Sequence, residues 1–141
     1  MMNRRESADS PYVFRVPDLV RDYECDMHGI VNNAVYLNYL EHARRLFLLE
    51  HGVGFAALAE RGVTLRLTDI SIGYRHSLRS GDRYTTSLSL SKTSGVLIFE
   101  GNIHIGPDAI LCARSTAKIA VLQDGQLTAG EFFDPLLASL R

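Results

Sequence analysis

The chain has 141 residues, of which 46% are hydrophobic and 22% are charged, and fifteen basic against sixteen acidic residues give a net charge of −1. This size and composition exclude a disordered, coiled-coil or collagen-like protein and predict one globular domain over residues 1–141. The near-neutral charge excludes a general attraction to nucleic acid or to anionic membranes, so we expect neither as a partner.

The two cysteines, Cys25 and Cys112, lie far apart and form no CxxC motif, which speaks against a disulfide scaffold and a zinc ribbon. The histidines show no ligand spacing either, so we predict no metal and no cofactor. Residues 1–10 are polar and no apolar segment follows them, which predicts a frayed terminus and no secretory signal. No apolar segment is long enough to span a membrane. We therefore expect a cytoplasmic protein.

The first half of the chain predicts a strand followed by a long helix. Residues 12–24 alternate loosely and predict a strand, which Pro17 places at a sheet edge or a bulge. Asn is a preferred N-cap residue, so the helix should begin at about Asn33. Over residues 34–51 the polar side chains form one narrow stripe and the rest of the helix is largely apolar. This pattern predicts a helix that is buried on most sides.

The second half predicts antiparallel strands. After a short helix expected at residues 55–61, the apolar period changes to two, and its parity changes near Asp69, which predicts a β-bulge. Three further strands are separated by short turns and should be antiparallel neighbours. They span residues 84–92, 96–105 and 109–122. A terminal helix is expected at residues 131–140. The class is α+β, and one sheet has to curl around the apolar helix to cover it.

The segment between the first strand and the long helix carries the most informative motif, Asp-x-x-Gly-x-Val-Asn-Asn at residues 26–33. Gly29 can adopt the positive φ that a tight turn requires. The turn brings the Asp26 carboxylate near the helix N-terminus, where N–H groups are unpaired and partly positive. Those N–H groups would form an oxyanion hole while the carboxylate attacks a thioester or activates water. The alternative, that Asp26 and Asn33 are only turn and capping residues, stays open.

Residues 20–44, VRDYECDMHGIVNNAVYLNYLEHAR, resemble the signature of the hotdog-fold acyl-CoA thioesterases of the hydroxybenzoyl-CoA thioesterase type. In that signature Asp-x-x-Gly-x-Val precedes a helix that carries Tyr-x-x-x-x-Glu-x-Ala-Arg. The resemblance implies the hotdog fold, a curled antiparallel sheet wrapped around one long central helix. It also implies hydrolysis of an acyl-CoA or aroyl-CoA to the free acid and coenzyme A, by a homodimer or homotetramer with active sites at the subunit interface.

Carried over by position, the resemblance makes Asp26 the nucleophile or general base and assigns the backbone N–H of Asn33 to the oxyanion hole. Many relatives have His or Tyr at position 33, but a backbone donor does not depend on the side chain. Other branches, including acyl carrier protein thioesterases, have Asn-Asn there. Four further positions are expected to bind the substrate: Gly29, Ile30, Val31 and Tyr36.

Glu41 is the reserve candidate for the catalytic carboxylate, because some hotdog thioesterases use a helix glutamate. The alternative is an ion pair between Glu41 and an arginine one turn later. The phosphates of coenzyme A require a local basic cluster. We expect it to come from Arg75, Arg79 and Arg83 around the turn after the second strand, and from Arg114 and Lys118, which share one face of a strand. The alternative is that all five are solvated surface charges.

Other functions remain open on the same fold. A non-catalytic acyl-CoA-binding protein and an acyl carrier protein thioesterase are the two alternatives to the acyl-CoA hydrolase. A hydratase or dehydratase is disfavoured, because the chain contains neither a His-Phe-Pro-Gly-like nor an Asp-x-x-x-x-His arrangement.

Overall fold

The computed structural model describes residues 13–106 and 109–140, so the frayed segment predicted for residues 1–10 lies outside the described residues. The strands are β1 (Phe14–Leu19), β2 (Val63–Tyr74), β3 (Arg83–Thr93), β4 (Val96–Ile105), β5 (Ile110–Gln123) and β6 (Gln126–Leu127). The helices are α1 (Asn33–Glu50), α2 (Phe55–Glu60) and α3 (Asp134–Ser139), with 3-10 turns at Asp22–Glu24 and Glu131–Phe133.

The strands form one antiparallel sheet in the order β1-β3-β4-β5-β2, with β6 beside β5. The sheet curls around α1, which confirms the predicted hotdog architecture. The strands β3, β4 and β5 are consecutive neighbours, as their short turns predicted. Pro17 lies on the edge strand β1, where its missing N–H costs no ladder hydrogen bond. The chain crosses from the β2 edge to β3 through residues 75–82.

The core lies between α1 and the concave face of the sheet. The helix buries six side chains there: Tyr36, Tyr39, Leu40, Ala43, Phe47 and Leu48. Gly101 of β4 allows the helix to approach closely, because a Cβ at this position would lie 2.8 Å from the Leu40 side chain. Burying a Leu or Phe side chain in such a core stabilises the fold by about 1.5–3 kcal/mol.

Several local predictions are confirmed. The helix begins at Asn33, and the side chain of Asn32 caps it by accepting the Ala34 N–H. The ladder between β2 and β5 shifts register between Leu67 and Asp69, so the predicted bulge lies at Thr68. The terminal helix is present as a 3-10 turn followed by α3.

Two predictions are wrong. Only six of the eighteen residues of α1 are buried, and Leu49 is 66% exposed, because the sheet covers one side of the helix and not most of it. Residues 12–24 do not form one strand: β1 ends at Leu19, and a 3-10 turn follows. The turn forms because the Glu24 carboxylate accepts the Arg21 main-chain N–H at 2.9 Å, which closes the backbone on itself.

Candidate functional site

The Asp26 turn is closed by its own hydrogen bonds. The Asp26 main-chain N–H donates to the Ile30 carbonyl at 2.8 Å, and the Gly29 N–H donates to the Asp26 carbonyl at 3.0 Å. Gly29 has the predicted positive φ, 78°. The Asp26 carboxylate is exposed and accepts the N–H groups of His28 at 2.8 Å and Ile30 at 3.5 Å. These bonds orient the carboxylate on the turn.

The α1 N-terminus has a main-chain donor that the cap does not use. The Asn32 side chain accepts the Ala34 N–H at 2.9 Å, and the Asn32 carbonyl accepts the Val35 N–H at 2.9 Å. Within the part of the chain that the structure describes, no group accepts the N–H of Asn33. The Asn33 carbonyl accepts the Tyr74 hydroxyl at 3.0 Å, which fixes this first residue of the helix. The Asn33 N–H can therefore donate to an external acceptor.

A cleft of about 470 Å³ opens at this helix end. The residues that line it are Ile30, Val31, Asn33, Tyr36, Tyr74, Arg75, His76, Ser77 and Arg79. The structure thus brings together six of the predicted site residues: Ile30, Val31, Asn33, Tyr36, Arg75 and Arg79. Asp26 and Gly29 lie on the adjoining turn and are not among the described residues that line the cleft, although the Asp26 carboxylate contacts the N–H of Ile30.

Two tyrosines form the apolar wall of the cleft. The rings of Tyr36 and Tyr74 meet edge to face, with centroids 5.3 Å apart. Tyr36 is 3% exposed, and its hydroxyl accepts the Leu78 N–H at 3.1 Å. Burial raises the pKa of Tyr36, which the Leu78 hydrogen bond partly offsets. Tyr74 was not predicted as a site residue, because its position in the cleft depends on the pairing of β2 with β5 and no local motif marks it.

Arg75 also lines a second, shallower pocket of about 240 Å³, together with Arg114. Gly73 and Arg114 face each other in the β2–β5 ladder, and a Cβ at Gly73 would lie 2.9 Å from Arg75 Nη1. The Arg75 side chain therefore folds over Gly73, beside Arg114. Lys118 shares the exposed face of β5 with Arg114, as predicted, but is not among the described residues that line either pocket.

Glu41 lies apart from the cleft within this chain. Its side chain is 53% exposed, and its carboxylate is 3.5 Å from the guanidinium of Arg45, so the predicted ion pair one turn along the helix is present. It lines a small pocket of about 110 Å³ with Arg44, Leu48 and Phe99 among others. Burial lowers the pKa of Arg44.

Both cysteines are free thiols, and burial raises the pKa of Cys112 to about 11. Residues 13–106 and 109–140 contain no group of three or more His, Cys, Asp or Glu side chains placed to hold a metal ion. Over the same ranges, no helix has the length and apolar character needed to cross a membrane.

Comparisons with known proteins identify relatives over most of the chain. A family model described as "Thioesterase-like superfamily" matches residues 20–138. The chloroplastic acyl-acyl carrier protein thioesterase ATL3 of Arabidopsis thaliana is 40% identical over 80 residues, which cover 57% of this chain and 42% of ATL3. The chain therefore spans less than half the length of this plant relative. The long-chain acyl-CoA thioesterase FadM of Escherichia coli is 28% identical over 118 residues, which cover 77% of this chain and 89% of FadM.

A solved structure shows the same fold. The 1,4-dihydroxy-2-naphthoyl-CoA thioesterase Slr0204 from Synechocystis superposes with a TM-score of 0.79 over 90% of this chain and 94% of its own, at 18% identity.

Proposed function

The chain belongs to the thioesterase-like superfamily, and we propose that it hydrolyses an acyl-CoA or aroyl-CoA thioester to the free acid and coenzyme A. The observation that carries this proposal is the N–H of Asn33, which has no acceptor among the described residues and belongs to a residue that lines the cleft next to the Asp26 turn. In this proposal, residues 1–141 form one thioesterase domain, and the protein acts in a reducing compartment such as the cytoplasm.

The oxyanion hole is the first part of the proposed mechanism. The thioester carbonyl oxygen accepts the Asn33 N–H, which is fixed by the cap and by the Tyr74 hydroxyl. As the carbonyl carbon becomes tetrahedral, its oxygen gains negative charge, and this donor at the positive end of α1 stabilises it. One such donor contributes about 3–4 kcal/mol to transition-state stabilisation in acyl transfer.

Asp26 supplies the second part. Its carboxylate either attacks the carbonyl carbon, forming an anhydride that water then hydrolyses, or removes a proton from the water that attacks. In both cases the tetrahedral intermediate collapses by breaking the C–S bond, and coenzyme A leaves as a thiolate. A thiolate is a good leaving group and needs no proton donor, which suits a site with one acid and one oxyanion hole. Glu41 remains the reserve carboxylate.

Coenzyme A binding is proposed at the two arginines. Arg75 lines both the cleft and the shallow pocket, so a ligand whose thioester lies at Asn33 can reach Arg75 and Arg114 with its phosphates. Guanidinium groups suit phosphate oxygens because they donate two parallel hydrogen bonds. Lys118 is a further candidate. It lies on the same face of β5, two residues after Thr116, which lines the shallow pocket.

A homodimer is proposed to complete the site, with a homotetramer as the larger assembly. Among the described strands β2 pairs only with β5, so its other edge presents unpaired main-chain groups. Leu67 and Tyr74 on β2 are 48% and 43% exposed. A second copy that continues the sheet at this edge would cover both and would close the side of the cleft that Tyr74 lines.

The test measures thiol release from a panel of acyl-CoA and aroyl-CoA esters. Asp26→Asn should lower kcat by about 100-fold or more, because it removes the nucleophile or base. Asp124→Asn, at an exposed turn remote from the cleft, is the matched control and should leave kcat unchanged. If Asp26→Asn keeps full activity and Glu41→Gln loses activity, the catalytic carboxylate is Glu41 and not Asp26.

A second candidate substrate is an acyl carrier protein thioester, which the 40% identity to ATL3 favours. Acyl-acyl carrier protein substrates belong in the same assay. If their kcat/KM is higher than that of the acyl-CoA esters, the acyl carrier protein is the carrier in the natural substrate. Binding of both classes of ester without any thiol release would identify a non-catalytic acyl-thioester-binding protein.

A further inference from the structure

A second acidic residue, Glu24, joins the Asp26 turn to α1. Its side chain is only 13% exposed, whereas that of Glu41 is 53% exposed. Glu24 Oε1 accepts the Tyr39 hydroxyl at 2.7 Å, and the Glu24 main-chain carbonyl accepts the N–H of Asn32, the N-cap of α1, at 3.1 Å. Glu24 therefore contacts α1 at two points, its cap and its second turn.

The donor of the side-chain hydrogen bond is held rigidly. Tyr39 is 6% exposed, and its ring stacks on that of Tyr84 with centroids 4.4 Å apart and an interplanar angle of 27°. The ring of Tyr36, which lines the cleft, packs edge to face against Tyr39 at 6.1 Å. Burial and the hydrogen bond to Glu24 raise the pKa of Tyr39, so its hydroxyl keeps its proton and remains a donor.

The Asp26 turn is short enough to transmit a movement of Glu24. Only Cys25 separates Glu24 from Asp26, and an antiparallel bridge between Cys25 and Val31 closes the base of the turn. The hydrogen bonds within the turn leave it little freedom to deform on its own. If Glu24 shifts relative to α1, the carboxylate of Asp26 shifts relative to the N–H of Asn33.

We infer that Tyr39 and Glu24 are positioning residues: their hydrogen bond sets the placement of the Asp26 carboxylate relative to the α1 N-terminus. This inference rests on the proposed function, since the placement matters only if Asp26 acts on the substrate. Neither residue touches the substrate. Their effect is on the alignment of the reacting groups, where a misplacement of about 1 Å can lower a rate by about 100-fold.

The first test uses variants that remove or keep the hydrogen bond between Tyr39 and Glu24. Tyr39→Phe keeps the ring and removes the donor, and should lower kcat by about 10- to 100-fold while KM stays within about threefold. Glu24→Ala also removes the hydrogen bond from the Arg21 N–H and the ion pair with the Arg21 guanidinium, so it should lower kcat at least as much as Tyr39→Phe. Glu24→Gln keeps an acceptor oxygen for Tyr39 and should retain kcat within about threefold of the parent. Tyr23→Phe, at a ring that is 82% exposed on the neighbouring position, is the matched control and should have no effect.

The second test asks whether Tyr39 acts through Asp26. If it does, Asp26→Asn combined with Tyr39→Phe should be no slower than Asp26→Asn alone, because the group being positioned is already absent. Losses that multiply in the double variant would overturn the inference. So would an unchanged kcat in Tyr39→Phe with only a lower Tm, since that result assigns the hydrogen bond to stability alone.

The two proposals can fail separately. If Asp26→Asn is fully active, the proposed catalytic role of Asp26 fails, and the positioning inference fails with it. If Asp26→Asn is inactive while Tyr39→Phe and Glu24→Ala keep the parent kcat, only the positioning inference fails.

Discussion

The two halves of α1 lie in chemically different parts of the core. The buried side chains of the C-terminal half, Phe47 and Leu48 among them, belong to an apolar cluster that also contains Leu97, Phe99 and Phe133. The N-terminal half packs in a second cluster that contains Tyr36, Tyr39, Tyr84 and Cys112. Every polar contact of the candidate site lies at this second end. Under the proposed mechanism one helix serves stability at one end and chemistry at the other, so changes at the two ends should affect different measurements.

The largest effect is expected from a cavity at the apolar end. Phe47 is fully buried and contacts the rings of Phe14 and Phe99. Phe47→Ala should lower the free energy of unfolding by about 3–5 kcal/mol, measured by urea denaturation. The kcat/KM per folded molecule should stay within about twofold of the parent, because the cleft lies at the other end of the helix. A large loss of kcat/KM in the folded fraction would break the separation between the two halves.

The next largest effect is a loss of stability at alkaline pH, which should begin at the N-terminal half of α1. The folded-state pKa values of Tyr36, Tyr39, Tyr84 and Cys112 are all raised, chiefly by burial. A raised pKa gives stability that is complete below the unfolded-state pKa, near 9 for the thiol and 10 for the tyrosines, and is lost as pH rises above it. Each unit of pKa difference corresponds to about 1.4 kcal/mol.

Tyrosinate absorbance and hydrogen exchange from pH 8 to 12 measure this loss. Exchange should increase first in residues 31–40 and only later in residues 43–48, which pack in the apolar cluster. Simultaneous exchange of both segments at every pH would show that the two clusters open as one unit.

The smallest effect is expected at Arg75, one of the two arginines proposed to bind the phosphates of coenzyme A. Arg75→Ala should raise KM for an acyl-CoA about tenfold with little change in kcat, because it removes ground-state binding of the phosphates. The same substitution should not change KM for a truncated thioester that has no nucleotide. Lys118→Ala, on the same face of β5 but in neither pocket, should raise KM by less than about threefold. Equal effects of both substitutions would assign binding to the general charge of this face.

Features that depend on residues close together in the chain could be predicted from the sequence. The Asn32 cap and the start of α1, the bulge before Asp69 and the edge position of Pro17 all depend on local chemistry, and the structure has each of them. The motif at residues 26–33 predicted that Asp26 and the start of α1 share a cavity; Ile30, Val31 and Asn33 line the cleft, whereas Asp26 lies on the adjoining turn.

What the sequence did not reveal depends on long-range pairing. Tyr74 lines the cleft because of where the pairing of β2 with β5 places the end of β2. The partner of Glu24 lies fifteen residues away on a helix, at a position that a pattern of apolar residues marks only as core. The exposure of α1 was mispredicted because an apolar pattern shows which side chains can be buried. How many of them are buried depends on how much of the helix the sheet covers.

The bulge at Thr68 has a consequence for self-association. It lies in the middle of β2, where the Thr68 hydroxyl donates to the Lys118 carbonyl and the ladder slips by one residue. An exposed, flat strand edge invites open-ended stacking of molecules into fibres, and a kink followed by a charged residue, here Asp69, opposes it. The interruption therefore discourages the indefinite growth that a straight strand edge would permit.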